Sequence, residues 1–367
     1  MKCLPSTKLP LANGCVLHDW HAEILAIRAF NRFLLDQLEL LLKSPSPSSD
    51  FIRRRHPDEL LTTTTTEAPP EHQPPFTIKE DVQIYMYCSE APCGDASMEL
   101  IMDLQEDATP WTSPAPVISS TPATSPSQST PTSGLRGRSH FSHLGTLRYK
   151  PSRPDAPPTT SKSCTDKLTL IQATSLLSSL TSTLISPRNA YLTSLILPSS
   201  QLVPSACARA FRTRMTHVTD DVVSGWTGGY TWRPFEVRGT SREFSFSRRS
   251  TGAGEKAIPS NISAVYTPAW QETLIGGVLQ GRKQFDVRGA SRVCRKGMWG
   301  MAGRVAMGLG VGVVREALST KGKVGGGYAA VKESGVLSAR RKVKGDVRKG
   351  VLGGWVRGVG DDGFGIE

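Results

Sequence analysis

Residues 18–30 read His18-Asp19-Trp20-His21-Ala22-Glu23-Ile24-Leu25-Ala26-Ile27-Arg28-Ala29-Phe30, HDWHAEILAIRAF. From Trp20 to Lys43 apolar residues recur on a 3.6 period, which predicts one helix over 20–43. His21 and Glu23 stand at its start. Side chains at i and i+2 leave a helix on different sides. The histidine can therefore hold a metal ion while the glutamate reaches over an open coordination position. The pair has this meaning only if further ligands converge on it. Otherwise it is the polar end of a buried helix.

Two cysteines supply candidates. Pro92-Cys93 opens the stretch 91–105, APCGDASMELIMDLQ, predicted as a helix with its proline in the first turn. A thiolate at a helix start is favoured by the backbone N–H groups and the dipole. The compact C-x-x-C of many zinc sites is absent, because position 96 is alanine. Cys164, in SKSCTDK, lies directly before a predicted helix that starts near Asp166, 71 residues beyond Cys93. One histidine, two thiolates and a carboxylate that is not a ligand form the donor set of zinc-dependent nucleobase deaminases. There the metal lowers the pKa of a water and the carboxylate carries its proton.

The rest of the chain sets the frame. It has 367 residues, with 44 Lys plus Arg against 32 Asp plus Glu, a net charge of +12. That length suits one large domain or two smaller ones with a sizeable core. The charge favours a polyanionic partner, nucleic acid first. Seven cysteines, sparse and unevenly spaced, are no disulfide framework and point to a reducing compartment. No signal peptide is legible, and no apolar run reaches the length of a membrane span. Ser, Pro and Thr dominate 44–75 and 106–134, which read as disordered inserts within one domain over 1–367. Strands are predicted at 81–89, 190–197, 242–247 (REFSFS) and 261–266. Helices are predicted from Asp166 to about Leu184, and near 289–318 and 330–357. The basic run 339–349, ARRKVKGDVRK, reads as a solvated helix face. The basic stretch 135–154, LRGRSHFSHLGTLRYKPSRP, is read as the lining of an RNA entrance. Arg136, Arg138, Arg148, Lys150 and Arg153 would hold phosphates there.

The segments NGCVLHDWHAEILAIRAFNRFLL, APCGDASMELIMDLQEDATPW, LRYKPSRPDAPPT, SCTDKL and SAVYTPAWQETLIGGVLQGRKQFDVRGASRVCR resemble the tRNA-specific adenosine deaminases related to the adenosine deaminases acting on RNA. The likeness is strongest to the fungal type. It implies a cytidine-deaminase-like α/β fold, a mixed sheet flanked by helices, with a large C-terminal extension of the same domain. It implies Zn²⁺ on His21, Cys93 and Cys164, Glu23 as proton shuttle, and inosine made from adenosine in tRNA, at position 37 of alanine tRNA. RNA-editing relatives bury an inositol hexakisphosphate. The resemblance implies Arg28, Lys167, Arg295 and Trp355 as its partners, and a relay through Lys167 and Asp19 to Cys164. Such relatives carry a helix and a strand before the motif at which this chain starts, and the expectation is that both are missing here. Expected partners are tRNA, with neither DNA nor membrane, inside the cell in the nucleus or cytoplasm. The alternatives are an RNA-binding relative without turnover and a deaminase of double-stranded RNA.

Overall fold

The computed structural model describes residues 2–43, 48–61, 72–104, 117–118, 134–137, 140–150, 156–247, 249–251, 260–319 and 327–366. The chain is a mixed α/β protein. Helix α1 spans Ala22–Lys43, and β1 (Ile52–Arg54), α2 (Pro57–Leu61) and β2 (Phe76–Ile78) follow. Strand β3 (Tyr85–Tyr87) leads to a 3-10 turn at Asp95–Ser97 and to α3 (Met98–Met102). Strands β4 (Val117–Ile118), β5 (Gly134–Arg136) and β6 (Arg148–Tyr149) come before α4 (Cys164–Thr174). Then β7 (Ser194–Pro198), α5 (Pro204–Phe211), α6 (Asp220–Ser224) and β8 (Glu236–Thr240) precede the antiparallel β9 (Ile262–Thr267), β10 (Trp270–Ile275) and β11 (Val278–Leu279). Helices α7 (Arg295–Gly308), α8 (Gly312–Leu318), α9 (Tyr328–Glu333) and α10 (Ser338–Val347) complete the described order.

The sheet that positions the site is parallel, in the order β3-β7-β8. Leu195 and Leu197 of β7 are fully buried, as a central strand demands, and pack with Leu168, Phe211 and Phe235. A second core joins α1 to α7. Leu34, Leu35 and Leu38 meet Met298, Trp299, Ala302 and Val305. Gly308, at the end of α7, serves this contact: a Cβ there would come within 2.7 Å of Leu42. Small residues let the two backbones approach, and that offsets their weak helix propensity.

Several sequence expectations are corrected. The segment 242–247 is no strand; β8, a few residues earlier, pairs with β7 instead. Val237 of β8 turns toward the core, whereas Phe244 and Phe246 are exposed, and alternation alone does not show which run finds a partner. The helix expected to reach Leu184 ends at Thr174, where Ser175 adopts φ 57° and Leu176 N–H turns to Ala190 O at 2.8 Å. The two long C-terminal helices are each divided, α7 from α8 at Gly310 (φ 66°) and α9 from α10 by the turn Gly335–Leu337. Within 44–75, β1 pairs with β2 and Ile52 joins the core, so this part of the stretch is ordered. Of 106–134, only Val117, Ile118 and Gly134 fall among the described residues.

Candidate active site

Three elements deliver the ligands. His21 directly precedes α1, whose first turn is tied down by Asp19: its Oδ1 accepts the His21 N–H at 3.1 Å. Cys93 lies before the 3-10 turn. Cys164 is the first residue of α4, capped by Ser163, whose Oγ accepts the Asp166 N–H at 3.0 Å. The Cys164 N–H points at Cys93 Sγ, 3.4 Å away, and His21 Nδ1 lies 3.9 Å from the same sulfur. The ligand atoms of His21, Cys93 and Cys164 all fall within 4.8 Å of one another. Zn–S and Zn–N bonds of ~2.3 and ~2.0 Å bring tetrahedral ligands to about 3.5–4 Å apart, so the set fits one zinc ion with a fourth position open. Gly94 makes the approach possible. It sits at φ 115°, and a Cβ there would collide with the Ser163 side chain.

Glu23, half-buried, lines a cavity of about 960 Å³ together with His21, Cys93, Tyr87, Glu90, Gln201 and Phe244. A metal position and a carboxylate thus face one pocket large enough for a nucleoside.

The charges around the ligands are arranged for a cation. The hydrogen bond from Cys164, then Lys150 and His21, pulls the Cys93 thiol well below its usual range, against the cost of burial. Burial opposes charge on His21 too, but hydrogen bonds to the Cys3 and Cys93 sulfurs and the Asp19 charge hold it up at about 10. Metal binding replaces such protons. Beneath the ligands lies buried Asp19. Burial would raise its pKa, but the Lys150 and Lys167 ammoniums hold it well below the carboxylate range.

This arrangement corrects two assignments. Lys150, expected at an RNA entrance, is buried: Nζ donates to Asp19 Oδ2 at 2.7 Å and to Cys164 Sγ at 3.2 Å. Lys167 reaches Asp19 and Ser161 but not Cys164, so Lys150 is the link of the expected relay that the sequence missed. Arg148 is buried as well, its guanidinium donating to Gly137 O at 3.0 Å and to the His140 and His143 carbonyls. Strand β6 is covered on both sides, paired with β5 and bridged to Lys162, and that turns both cations inward. Arg136 is half-buried and donates to Ala156 O. Arg138 and Arg153 lie outside the described residues.

A second polar region adjoins the relay. Arg28 Nη1 donates to Val293 O at 2.8 Å, and Arg295 Nη1 to Asp361 O at 2.6 Å. The Trp355 ring carries Lys162 Nζ at 5.1 Å and Arg348 at 5.0 Å. Arg340, Lys344 and Arg348, spaced i, i+4, i+8 along and just past α10, turn inward with Lys332 of α9; the run 339–349 is thus no merely solvated face. Burial, then Arg295, Arg357, Arg28 and Arg340, pushes the Lys332 ammonium down to about 7. Burial with Arg340, Lys332, Arg348 and Arg357 drives Lys344 well below its usual range. Neither lysine has an acidic partner among the described residues. Half-buried cations gathered this closely, with no carboxylate on either lysine, fit a polyanion. The sequence had offered Arg28, Lys167, Arg295 and Trp355 for this site; the basic i, i+4, i+8 spacing was the signal for the others.

Among the described residues no helix is long and apolar enough to cross a membrane. The family profile of the adenosine-deaminase (editase) domain matches residues 1–358. Fission yeast (Schizosaccharomyces pombe) tRNA-specific adenosine deaminase 1 is 34% identical over 84% of this chain and 72% of its own length. The Saccharomyces cerevisiae protein of the same name is 31% identical over 60% of this chain and 50% of its own length. The double-stranded RNA-specific editase Adar of Drosophila melanogaster is similar over only 26% of this chain, at 31% identity. With a His-Cys-Cys cluster beside a pocket that holds a carboxylate, and a family profile that matches 1–358 of its residues, this chain belongs to the adenosine-deaminase (editase) domain family.

Proposed function

We propose that this chain deaminates adenosine to inosine in tRNA, with zinc on His21, Cys93 and Cys164 and Glu23 as the proton carrier. The observation that carries this reading is the pocket that Glu23 shares with His21 and Cys93, with Cys164 buried within 4.8 Å of both ligand atoms. The substrate class rests on similarity: the two yeast relatives named for tRNA match 84% and 60% of the chain, the fly editase 26%. Zinc held there would lower the pKa of a water beside the adenine C6. Glu23 takes the proton of that water on a carboxylate oxygen and returns it to the departing amine, so that adenine plus water gives hypoxanthine plus ammonia. Lys150 and Asp19 hold Cys164 in place. The target base must leave its stack, which is least costly in a tRNA loop. The finer expectation is position 37 of alanine tRNA, in the nucleus or cytoplasm.

The cationic region supports a second element of the proposal, a buried inositol hexakisphosphate. Arg28, Lys167, Arg295, Lys332, Lys344, Arg348 and Trp355 would hold it, and its phosphates would satisfy ammoniums that otherwise repel one another.

The test is inosine formation in unmodified alanine tRNA by purified chain, beside Glu23→Ala and with metal content measured on both. Inosine from the parent and none from a variant that retains one zinc per chain is the expected result. A zinc-loaded, folded parent that leaves the tRNA unchanged overturns the activity. Modification of duplex RNA in preference to tRNA overturns the substrate class.

A further inference from the structure

The two aromatic rings of Arg242–Ser247, REFSFS, have no place in the apolar cores. The segment forms no strand, and two phenylalanines leave it toward solvent. Phe244 is 49% exposed and Phe246 86%. Their rings meet edge to face with centroids 5.7 Å apart. A phenylalanine so far in water forgoes most of the ~1.5–3 kcal/mol that burial would give it, and two neighbouring ones form an apolar spot amid polar surface.

Their place matters. Phe244 lines the same cavity as Glu23, His21 and Cys93, and Tyr87, also on that cavity, donates from its hydroxyl to Arg242 O at 3.2 Å. The turn is held at both ends. Ser247 N–H donates to Phe244 O at 2.8 Å and Ser250 Oγ to the same oxygen at 2.9 Å. Arg249 ties it to the far rim through Glu90 at 2.9 Å and to Glu243 at 2.9 Å. Those pairs also neutralise two carboxylates that would otherwise face phosphates across the mouth of the pocket.

We propose that Phe244 and Phe246 are a stacking platform for an unpaired nucleobase next to the target adenine. The inference rests on the RNA-deaminase reading above. When the target leaves its stack, its neighbour loses a partner face, and an aromatic ring fixed at the rim replaces it. The platform acts on positioning, through the flanking base, and takes no part in proton transfer. A π-face is sequence-tolerant, so it suits a loop base of any identity.

The experiment uses the full, zinc-loaded chain carrying Glu23→Ala, so that RNA binds without turnover. The probe is an anticodon stem–loop with 2-aminopurine beside the target adenosine. In the Glu23→Ala parent, stacking quenches the fluorophore. Phe246→Ala and Phe246→Leu should lose the quenching and weaken binding roughly tenfold, the scale of one base–aromatic stack. Phe246→Trp should restore both. In chains that keep Glu23, Phe246→Ala should raise KM far more than it lowers kcat. Unchanged quenching and affinity in Phe246→Ala overturn the platform, as does full function in Phe246→Leu, which would mean apolar contact without stacking. If the parent makes no inosine but quenching still depends on the ring of Phe246, the platform stands and the deaminase reading falls. Phe246 is too exposed for its replacement to unfold the chain, and circular dichroism checks this.

Discussion

Glu23 and Lys150 show how two charged side chains beside one metal position differ in what their loss would do. Glu23 faces the cavity, so Glu23→Gln should leave folding and zinc content as they are and lower the deamination rate by ~10²- to 10⁴-fold, the usual worth of a positioned proton carrier. Single-turnover assays on tRNA measure this. Lys150 is buried between Asp19 and Cys164. Lys150→Met leaves a buried carboxylate short of a partner and should cost ~3–5 kcal/mol of stability, measured as a urea midpoint on zinc-loaded protein. The two were not equally legible. H-x-E at a helix start, Pro-Cys and a distant Cys carry a pattern tied to chemistry, and the structure brings these residues together. Nothing in LRYKPSRP separates a lysine that turns inward from its neighbours, because burial at 150 is decided by strands β5 and β6 and by the bridge to Lys162.

Between elements, the site depends on how closely the loop at Cys93 meets the start of α4. Gly94 is the pivot: positive φ and the Ser163 side chain leave no room for a Cβ. Gly94→Ala should cost roughly 1–3 kcal/mol in backbone strain alone. By spreading Cys93 from Cys164 it should also speed zinc loss to a chelator, followed with a colorimetric zinc dye. Ser163→Gly, which removes both the hydroxyl and the Cβ that a side chain at 94 would meet, should partly restore retention in the double variant. At this scale the sequence was readable where periodicity is long. Helix α1 runs almost as its pattern predicts, over 22 residues. Short apolar runs were harder. REFSFS alternates more cleanly than EVRGT, the segment that becomes β8, and only the pairing of β8 with β7, a long-range contact, decides between them. Composition misled in the same way at Ile52, a core residue on a short strand within a Ser/Pro/Thr-rich stretch.

Across the whole molecule, the cationic region makes stability depend on pH and on anions. Lys332 titrates at about 7 in the fold against 10.5 ordinarily. Between those values the unfolded chain holds more protons than the folded one, so stability rises with pH from about 7 to 10.5, and the penalty is complete below about 7. In zinc-loaded protein, where the metal replaces the His21 proton, and without a polyanion, the melting temperature should therefore be higher at pH 9 than at pH 7. Added inositol hexakisphosphate should raise it at pH 7 and flatten or reverse that slope, because phosphates favour the charged lysines. At a hundredfold excess over Kd the gain is ~2.7 kcal/mol, read by scanning calorimetry. No composition figure foretold the region: a net charge of +12 reads as surface until α9 and α10 fold their cations toward Arg28 and Arg295. The core that joins α1 to α7 has one more consequence. Leu34, Leu35, Leu38, Ile52, Phe76 and Ile78 come from the part of the chain before residue 118, and Leu177, Trp299, Val305 and Phe364 from the part after 134, yet they form a single apolar cluster. The peptide that links the halves is not what keeps them together. Expressed as separate fragments, 1–118 and 134–367 should find each other and rebuild the enzyme, with an activity that rises with fragment concentration, as in a reporter built from two complementing pieces.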